Sequence, residues 1–230
     1  PRLPLDEKRL LQSAAVIGKD VPFGLLDGIA GLSDEELRQG LAHLQAAEFL
    51  YETSLFPDLE YTFKHALTHD VAYGSLLQDR RRELHAKVVE TVEALYADRQ
   101  TEQIERLAHH AFRGEIWEKA VGYLHQAGSK AFARSANREA VTCFEQSLAA
   151  LAHLPETREN LERAVDLRFE LRNSLFPLGE LEAMLTNLRE AERLSKALDD
   201  SRRLAWVSVY MSQYHWGTGR LTEARAVGER

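Results

Sequence analysis

The chain has 230 residues, of which 44% are hydrophobic, with only 13 glycines and 6 prolines. These totals suit a folded, helix-rich protein of one elongated domain or two small ones, and they exclude a disordered or fibrous polypeptide. A formal charge of -7 argues against the broad basic footprint that phosphate-backbone binding needs, and one cysteine excludes an internal disulfide framework. Cys143 falls on an apolar helix face and is expected to be packed inside; a reducing cytoplasm is the natural setting. No apolar run approaches the ~20 residues that cross a bilayer, and Pro1 to Lys8 lacks a charged-then-apolar leader.

Asp6 to Gly18 is predicted to be a helix with Leu10, Leu11, Ala14, Ala15 and Ile17 as its apolar stripe. Phe23 to Ala30 follows as a short helix opened by Pro22. Ser33, with Glu36 three residues on, is the signature of a capping box, and Leu37, Leu41 and Leu44 continue a third helix. Phe49 to Tyr51, a turn over Thr53 to Asp58, and the alternation around Tyr61 and Phe63 predict a β-hairpin. Three helices and a two-stranded wing amount to a winged-helix-like arrangement from Asp6 to about Leu77.

Helices are expected next over Ala66 to Leu77 and Arg80 to Ala97. Arg80, Arg81 and Arg82 open the second of these, where the helix dipole disfavours cations, so tertiary partners or acidic neighbours such as Asp79 and Glu83 are expected to offset the cost; the cluster is either a solvated helix start or a docking point for an acidic partner domain. Then come helical hairpins: Glu102 to Arg113 with Ile116 to Ala133, turning at Gly114; Asn137 to Leu154; Leu161 to Phe176, turning at Gly179 into Leu181 to Leu198; and Arg203 to Trp216, turning at Gly219 into Leu221 onward. The expected organisation is a winged-helix-like module over 1–78, a connecting helix over 79–100 and helical repeats over 101–230. A start at Pro rather than Met and a short last repeat read as an excised piece of a longer chain.

Within the repeats, Leu124, Ala127 and Gly128 lie on one stripe, Ala140, Phe144 and Ser147 on a second, and Pro155 closes the unit. This spacing resembles the tetratricopeptide repeat. Ala140, Met184 and Ala224 occupy equivalent places, 44 and 40 residues apart, longer than the usual period of about 34. The resemblance implies an α-solenoid whose first helices put four positions each on a concave wall. These are Gly122, His125, Ser129 and Phe132; Asp166, Phe169, Asn173 and Phe176; and Trp206, Val209, Gln213 and Trp216. A wall so rich in aromatic and amide groups would take a protein or peptide partner, although each ring could instead fill the core between repeats.

The string from Tyr61 to Tyr73, Tyr-Thr-Phe-Lys-His-Ala-Leu-Thr-His-Asp-Val-Ala-Tyr, followed by Arg80 to His85, carries a second likeness. It resembles the junction in large bacterial signalling proteins where a STAND-type ATPase module ends in a winged helix and passes into helical repeats. Several such proteins carry a class III adenylate or guanylate cyclase domain at the front. The resemblance implies that His65, at the wing-to-helix boundary, touches ADP in the parent protein; its other reading is a structural histidine that caps the helix or pairs with a carbonyl. It also implies ATP or ADP as cofactor in the parent, none in this chain, and an upstream nucleotide-binding domain of the same chain as a partner.

No phosphate loop is present: Ser13 stands where its first Gly would be and Asp20 where its hydroxyl residue would be, around Gly18 and Lys19. His65 and His69 are one helical turn apart, but Ala66 replaces the Glu of a metalloprotease motif and no third ligand is evident. His109 and His110 are adjacent and are expected to face different ways, while His85 and His125 read as packing residues. With no nucleophile elbow and carboxylates spread on polar faces, no catalytic role is expected for this chain. The expected function is therefore regulatory protein interaction inside a signalling ATPase, relaying partner sensing to a nucleotide-binding core. The alternative is a transcription activator with a DNA-reading winged helix and inducer-binding repeats, against which stand Asp34, Glu35 and Glu36 at the start of the reading helix.

Overall fold

Leu5–Ile17 forms α1 and buries Leu10, Leu11 and the run from Ser13 to Ile17, a face too apolar to stay in water. Around it fold β1 (Asp20–Pro22), α2 (Phe23–Ala30), α3 (Asp34–Ala46), β2 (Leu50–Ser54), β3 (Glu60–Phe63), α4 (Ala66–Gly74), α5 (Gln78–Leu95), a 3-10 segment (Ala97–Gln103) and α6 (Ile104–Arg113). The computed structural model describes residues 3–54 and 59–228, so most of the expected turn between β2 and β3 lies outside the described residues. The chain is mainly helical with one small antiparallel sheet, and it divides into two compact units, Pro1–Ile116 and Trp117–Arg230.

In the first unit α3 starts as its sequence dictates. Ser33 Oγ accepts from the Glu36 N–H at 3.3 Å, and Glu36 returns by accepting from the Ser33 N–H at 2.9 Å. The expected hairpin is present as β2 and β3, but the sheet has a third strand, in the order β1-β3-β2. Val21, fully buried, pairs with Tyr61, and Thr62 Oγ1 donates to Asp20 Oδ1 at 2.9 Å. Three residues ending in proline are too short to show alternation, so β1 exists because β3 offers it an edge.

Boundaries also move for local reasons. α4 stops at Gly74, where Ser75 Oγ donates to the Ala72 carbonyl at 2.7 Å, and α5 starts at Gln78. The arginines that open α5 are engaged. Arg80 pairs with Glu83 at 2.8 Å, and Arg82 with Asp79 at 2.7 Å and Glu115 at 2.8 Å. Arg81 lies over the Tyr73 ring at 4.4 Å and donates to the Leu76 carbonyl at 3.0 Å. Internal partners thus take up the charge that could have served an acidic docking partner.

α6 was expected to pair with the following helix, yet it packs on α5 within the first unit. The residues expected to connect, 79–100, and the first expected repeat helix therefore stay with the front of the chain. Gly114 does not make the turn by a left-handed backbone, since its φ is -81° and Glu115 has φ 56°. Its missing side chain matters instead because a Cβ there would sit 3.0 Å from the Ala86 backbone nitrogen.

The second unit is α7 (Trp117–Ala133), α8 (Asn137–Leu151), α9 (Arg158–Leu175), a 3-10 turn (Phe176–Leu178), α10 (Leu181–Ala197), α11 (Ser201–Gly217) and α12 (Leu221–Gly228). Consecutive helices pair as α7 with α8, α9 with α10 and α11 with α12, and the pairs stack through α8 on α9 and α10 on α11. Within the first pair Gly128 admits Phe144, because a Cβ at Gly128 would lie 2.6 Å from Phe144 Cε1. Ala140, Met184 and Ala224 are buried on α8, α10 and α12, which supports the long period read from their spacing.

α9 starts three residues before the expected Leu161, because Thr157 Oγ1 accepts from the Asn160 N–H at 3.2 Å and caps an extra turn. Asp200, expected to end α10, instead caps α11 by accepting from the Arg203 N–H at 2.9 Å. Cys143, expected inside, is half-buried.

Candidate functional site

The second unit presents the twelve expected wall positions with none of them buried. Phe132 is 42% exposed, Phe176 54%, Trp206 49% and Trp216 72%, while His125, Phe169 and Asn173 are half-buried and Gln213 is exposed. The core between repeats is filled by other residues: Leu124, Ala127 and Ala131 on α7, Val165, Leu171 and Leu175 on α9, and Val207, Met211 and Tyr214 on α11. The four exposed rings, three on α7 and α11 and Phe176 in the turn after α9, are therefore surface features, which removes the core-filling reading for them.

Polar bridges tie α7, α9 and α11 into one face. His125 Nε2 meets Glu170 Oε1 at 2.8 Å, Ser129 Oγ donates to Glu170 Oε2 at 3.2 Å, and Arg163 donates to Glu118 at 2.7 Å. Between α9 and α11, Arg203 grips Asp166 with two bonds, 2.9 and 2.7 Å, and Arg172 Nη2 donates to Gln213 Oε1 at 2.8 Å. The hydrogen bond to Glu170 raises the His125 pKa against the opposing effect of burial. Arg203 is held protonated by Asp166 and Asp200.

At the centre of this face the predicted residues converge. Phe169 meets Tyr210 edge-on with ring centroids 5.4 Å apart, and Trp206 stacks on Tyr210 at 5.8 Å. A cleft of about 260 Å³ opens there, lined by Asp166, Phe169, Arg202, Arg203, Trp206 and Tyr210, a size that fits one side chain rather than a cofactor. Next to it Arg172, only 8% exposed, lies 4.6 Å from the Tyr210 ring centre and 5.0 Å from that of Phe176, and donates to Asn173 Oδ1 at 3.1 Å. Burial lowers its pKa, and its Nε has no hydrogen-bond partner among the described residues. Phe132 and Trp216 make no ring contact with this group among the described residues.

Arg172 and Tyr210 escaped the sequence reading because they flank the wall positions. Tyr210 is one residue from Val209 and Arg172 one from Asn173, and only the tertiary fold brings the Arg172 side chain of α9 against the Tyr210 ring of α11. His65 is the N-cap of α4, exposed, with φ -133° and ψ 132°, and it makes no capping hydrogen bond through its side chain. The helix-capping reading of that histidine is therefore withdrawn.

A second cluster lies in the first unit, where His110 is buried and His109 exposed, as their adjacency implies, yet the two rings are close. Their ring centroids are 5.1 Å from each other, and His85 on α5 stands 5.9 Å from His109 and 5.0 Å from His110. His85 Nδ1 and His110 Nδ1 are 2.8 Å apart, and Tyr73 Oη is 3.0 Å from His85 Nε2. Burial, with smaller contributions from neighbouring positive charge, pushes His85 down to about 3 and His110 to about 2.

No family model matches the chain, and no solved structure matches it. It is similar to an uncharacterized protein of Rhizobium meliloti (strain 1021), at 28% identity over 156 residues, a match that covers 65% of this chain and 15% of that protein. The chain thus spans a small part of the length of the curated relative it matches. Among the described residues no helix is long and apolar enough to cross a membrane.

Proposed function

We propose that this chain is a regulatory protein-interaction segment of a multidomain signalling ATPase of the STAND type, in which tetratricopeptide-like repeats take a protein or peptide partner. The winged-helix-like first unit passes the result to a nucleotide-binding core elsewhere in the parent, where His65 is the residue positioned to sense ADP. The observation that carries this reading is the set of exposed rings, Phe132 on α7, Phe176 at the end of α9, and Trp206 and Trp216 on α11, on helices cross-braced by Glu170, Arg203 and Arg172. Exposed aromatic side chains with few rotors, held on a rigid face, are what a binding surface needs and what a core would have hidden. A match to a short stretch of a much longer relative supports the reading as a segment of a larger protein.

Replacing Trp206 and Trp216 together by alanine is expected to change stability by less than about 1 kcal/mol. The same pair is expected to weaken capture of the partner by tenfold or more, hot-spot aromatics being worth about 2 kcal/mol each. Global unfolding of that variant would return the rings to the core. Calorimetric titration of this chain with ATP and with ADP is expected to show no heat of binding; micromolar affinity for either would overturn the division of labour with the nucleotide-binding core.

The rival reading as a DNA-binding activator loses support at α3. Its first turn keeps Asp34, Glu35 and Glu36 exposed, three acids where a groove-reading helix meets phosphate. A mobility-shift experiment at moderate salt separates the two.

A further inference from the structure

The histidines of the first unit have an arrangement that the interaction role does not use. One nitrogen from each of His85, His109 and His110 lies within 4.8 Å of the others, with His85 and His110 buried and His109 exposed. We propose that these three residues form a binding site for a late first-row divalent cation, zinc foremost, joining α5 to α6 and open to solvent on the His109 side.

The chemistry of the donor set supports this. Three neutral imidazoles are the ligands such ions prefer, and three protein ligands with one open position is a recurrent zinc arrangement.

The outer contacts already orient the rings. The His110 ring donates to the Ile17 backbone carbonyl, and with Nδ1 turned toward His85 this leaves the Nδ1 lone pair as the free donor. On the other side Tyr73 Oη holds His85 Nε2 at 3.0 Å. When Nε2 carries the His85 proton and donates it to Tyr73, Nδ1 of His85 is exposed beside Nδ1 of His110. Binding therefore needs a change of tautomer at His85.

The geometry asks for little movement. Metal–nitrogen bonds of about 2.0–2.1 Å at tetrahedral angles put ligating nitrogens roughly 3.3 Å apart. The His85–His110 pair, at 2.8 Å, has to open by about half an ångström, and His109 has to swing in from the surface. Three guanidinium groups act against a cation here: Arg81 and Arg113 on the His85 side, and Arg106 on the His110 side. Their field sets the expected affinity in the micromolar range rather than the nanomolar range of closed structural zinc sites.

The test is an optical titration of the tag-free 230-residue chain with cobalt(II), followed by displacement with zinc. One cobalt per chain is expected to bind with a visible ligand-field band, and zinc is expected to abolish the band and raise the unfolding midpoint. H109A removes the exposed ligand without disturbing the core and should weaken binding more than about tenfold, while H125A, in the other unit, should leave it unchanged. No band at 100-fold excess cobalt, unchanged affinity in H109A, or loss of binding in H125A would each overturn the proposal.

Discussion

Replacing Phe144 by alanine lowers the stability of the second unit by about 3–5 kcal/mol, the range for a large ring removed from a packed core. Phe144 is 1% exposed, and its ring edge fills the space that Gly128 leaves on α7. The ring cannot be replaced by relaxation of its neighbour, because glycine has no side chain to move. The reverse change, Gly128→Ala, places a Cβ within 2.6 Å of the ring and costs about 1–3 kcal/mol by overpacking. In the double variant the new methyl enters the space the ring vacates, so the two costs are expected to fall short of additivity by on the order of 1 kcal/mol. Urea unfolding followed by far-UV circular dichroism measures all three; additive costs would mean that Gly128 and Phe144 do not act as a fitted pair.

Acid destabilises the first unit through His85 and His110. Their folded-state pKa values, about 3 and about 2, lie below the ~6.5 of an unfolded histidine. The unfolded chain therefore binds more protons, and stability is fully present above pH ~6.5 and falls as pH drops toward the folded values. Each ring contributes up to ~1.4 kcal/mol per pH unit once the unfolded histidine is protonated, or about 3 kcal/mol for both between pH 6.5 and 5.

The groups that face this pair from the packed elements work the same way. His109, Arg113 and Arg81 lie near His85, and His109 and Arg106 near His110, all adding positive charge; the Ile17 carbonyl alone favours the protonated His110 ring. His125, whose pKa is raised by Glu170, has the opposite sign, its stabilisation being lost as pH rises, but it belongs to the second unit. Replacing His85 and His110 by glutamine should flatten the profile between pH 6.5 and 5. A wild-type profile already flat in that window would falsify the assignment.

Much of the helical layout is readable from periodicity alone. The 3.6-residue stripes of Leu10 to Ile17, Leu37 to Leu44 and Leu188 to Leu194 all point inward, and the capping box at Ser33 forms as its residues specify. Local chemistry suffices there, because a cap and an amphipathic face are decided within one or two turns.

Other features required the third dimension. β1 is three residues with no pattern of its own and forms only because β3 has a free edge beside it. The pairing of α6 with α5, and the meeting of His85 with His109 and His110 across about 25 residues of chain, depend on which helix faces pack. Arg172 gains the Tyr210 ring and the Gln213 amide in the same way, from α11.

By itself the sequence determined where most of the helices run and which face of each is apolar. Only the tertiary structure decided which helices are partners, which polar groups are shut away from water, and which histidines share a site. The physical reason is range: hydrogen-bonded turns and caps are settled among residues a few positions apart, whereas burial and side-chain convergence depend on surfaces that distant segments bring together.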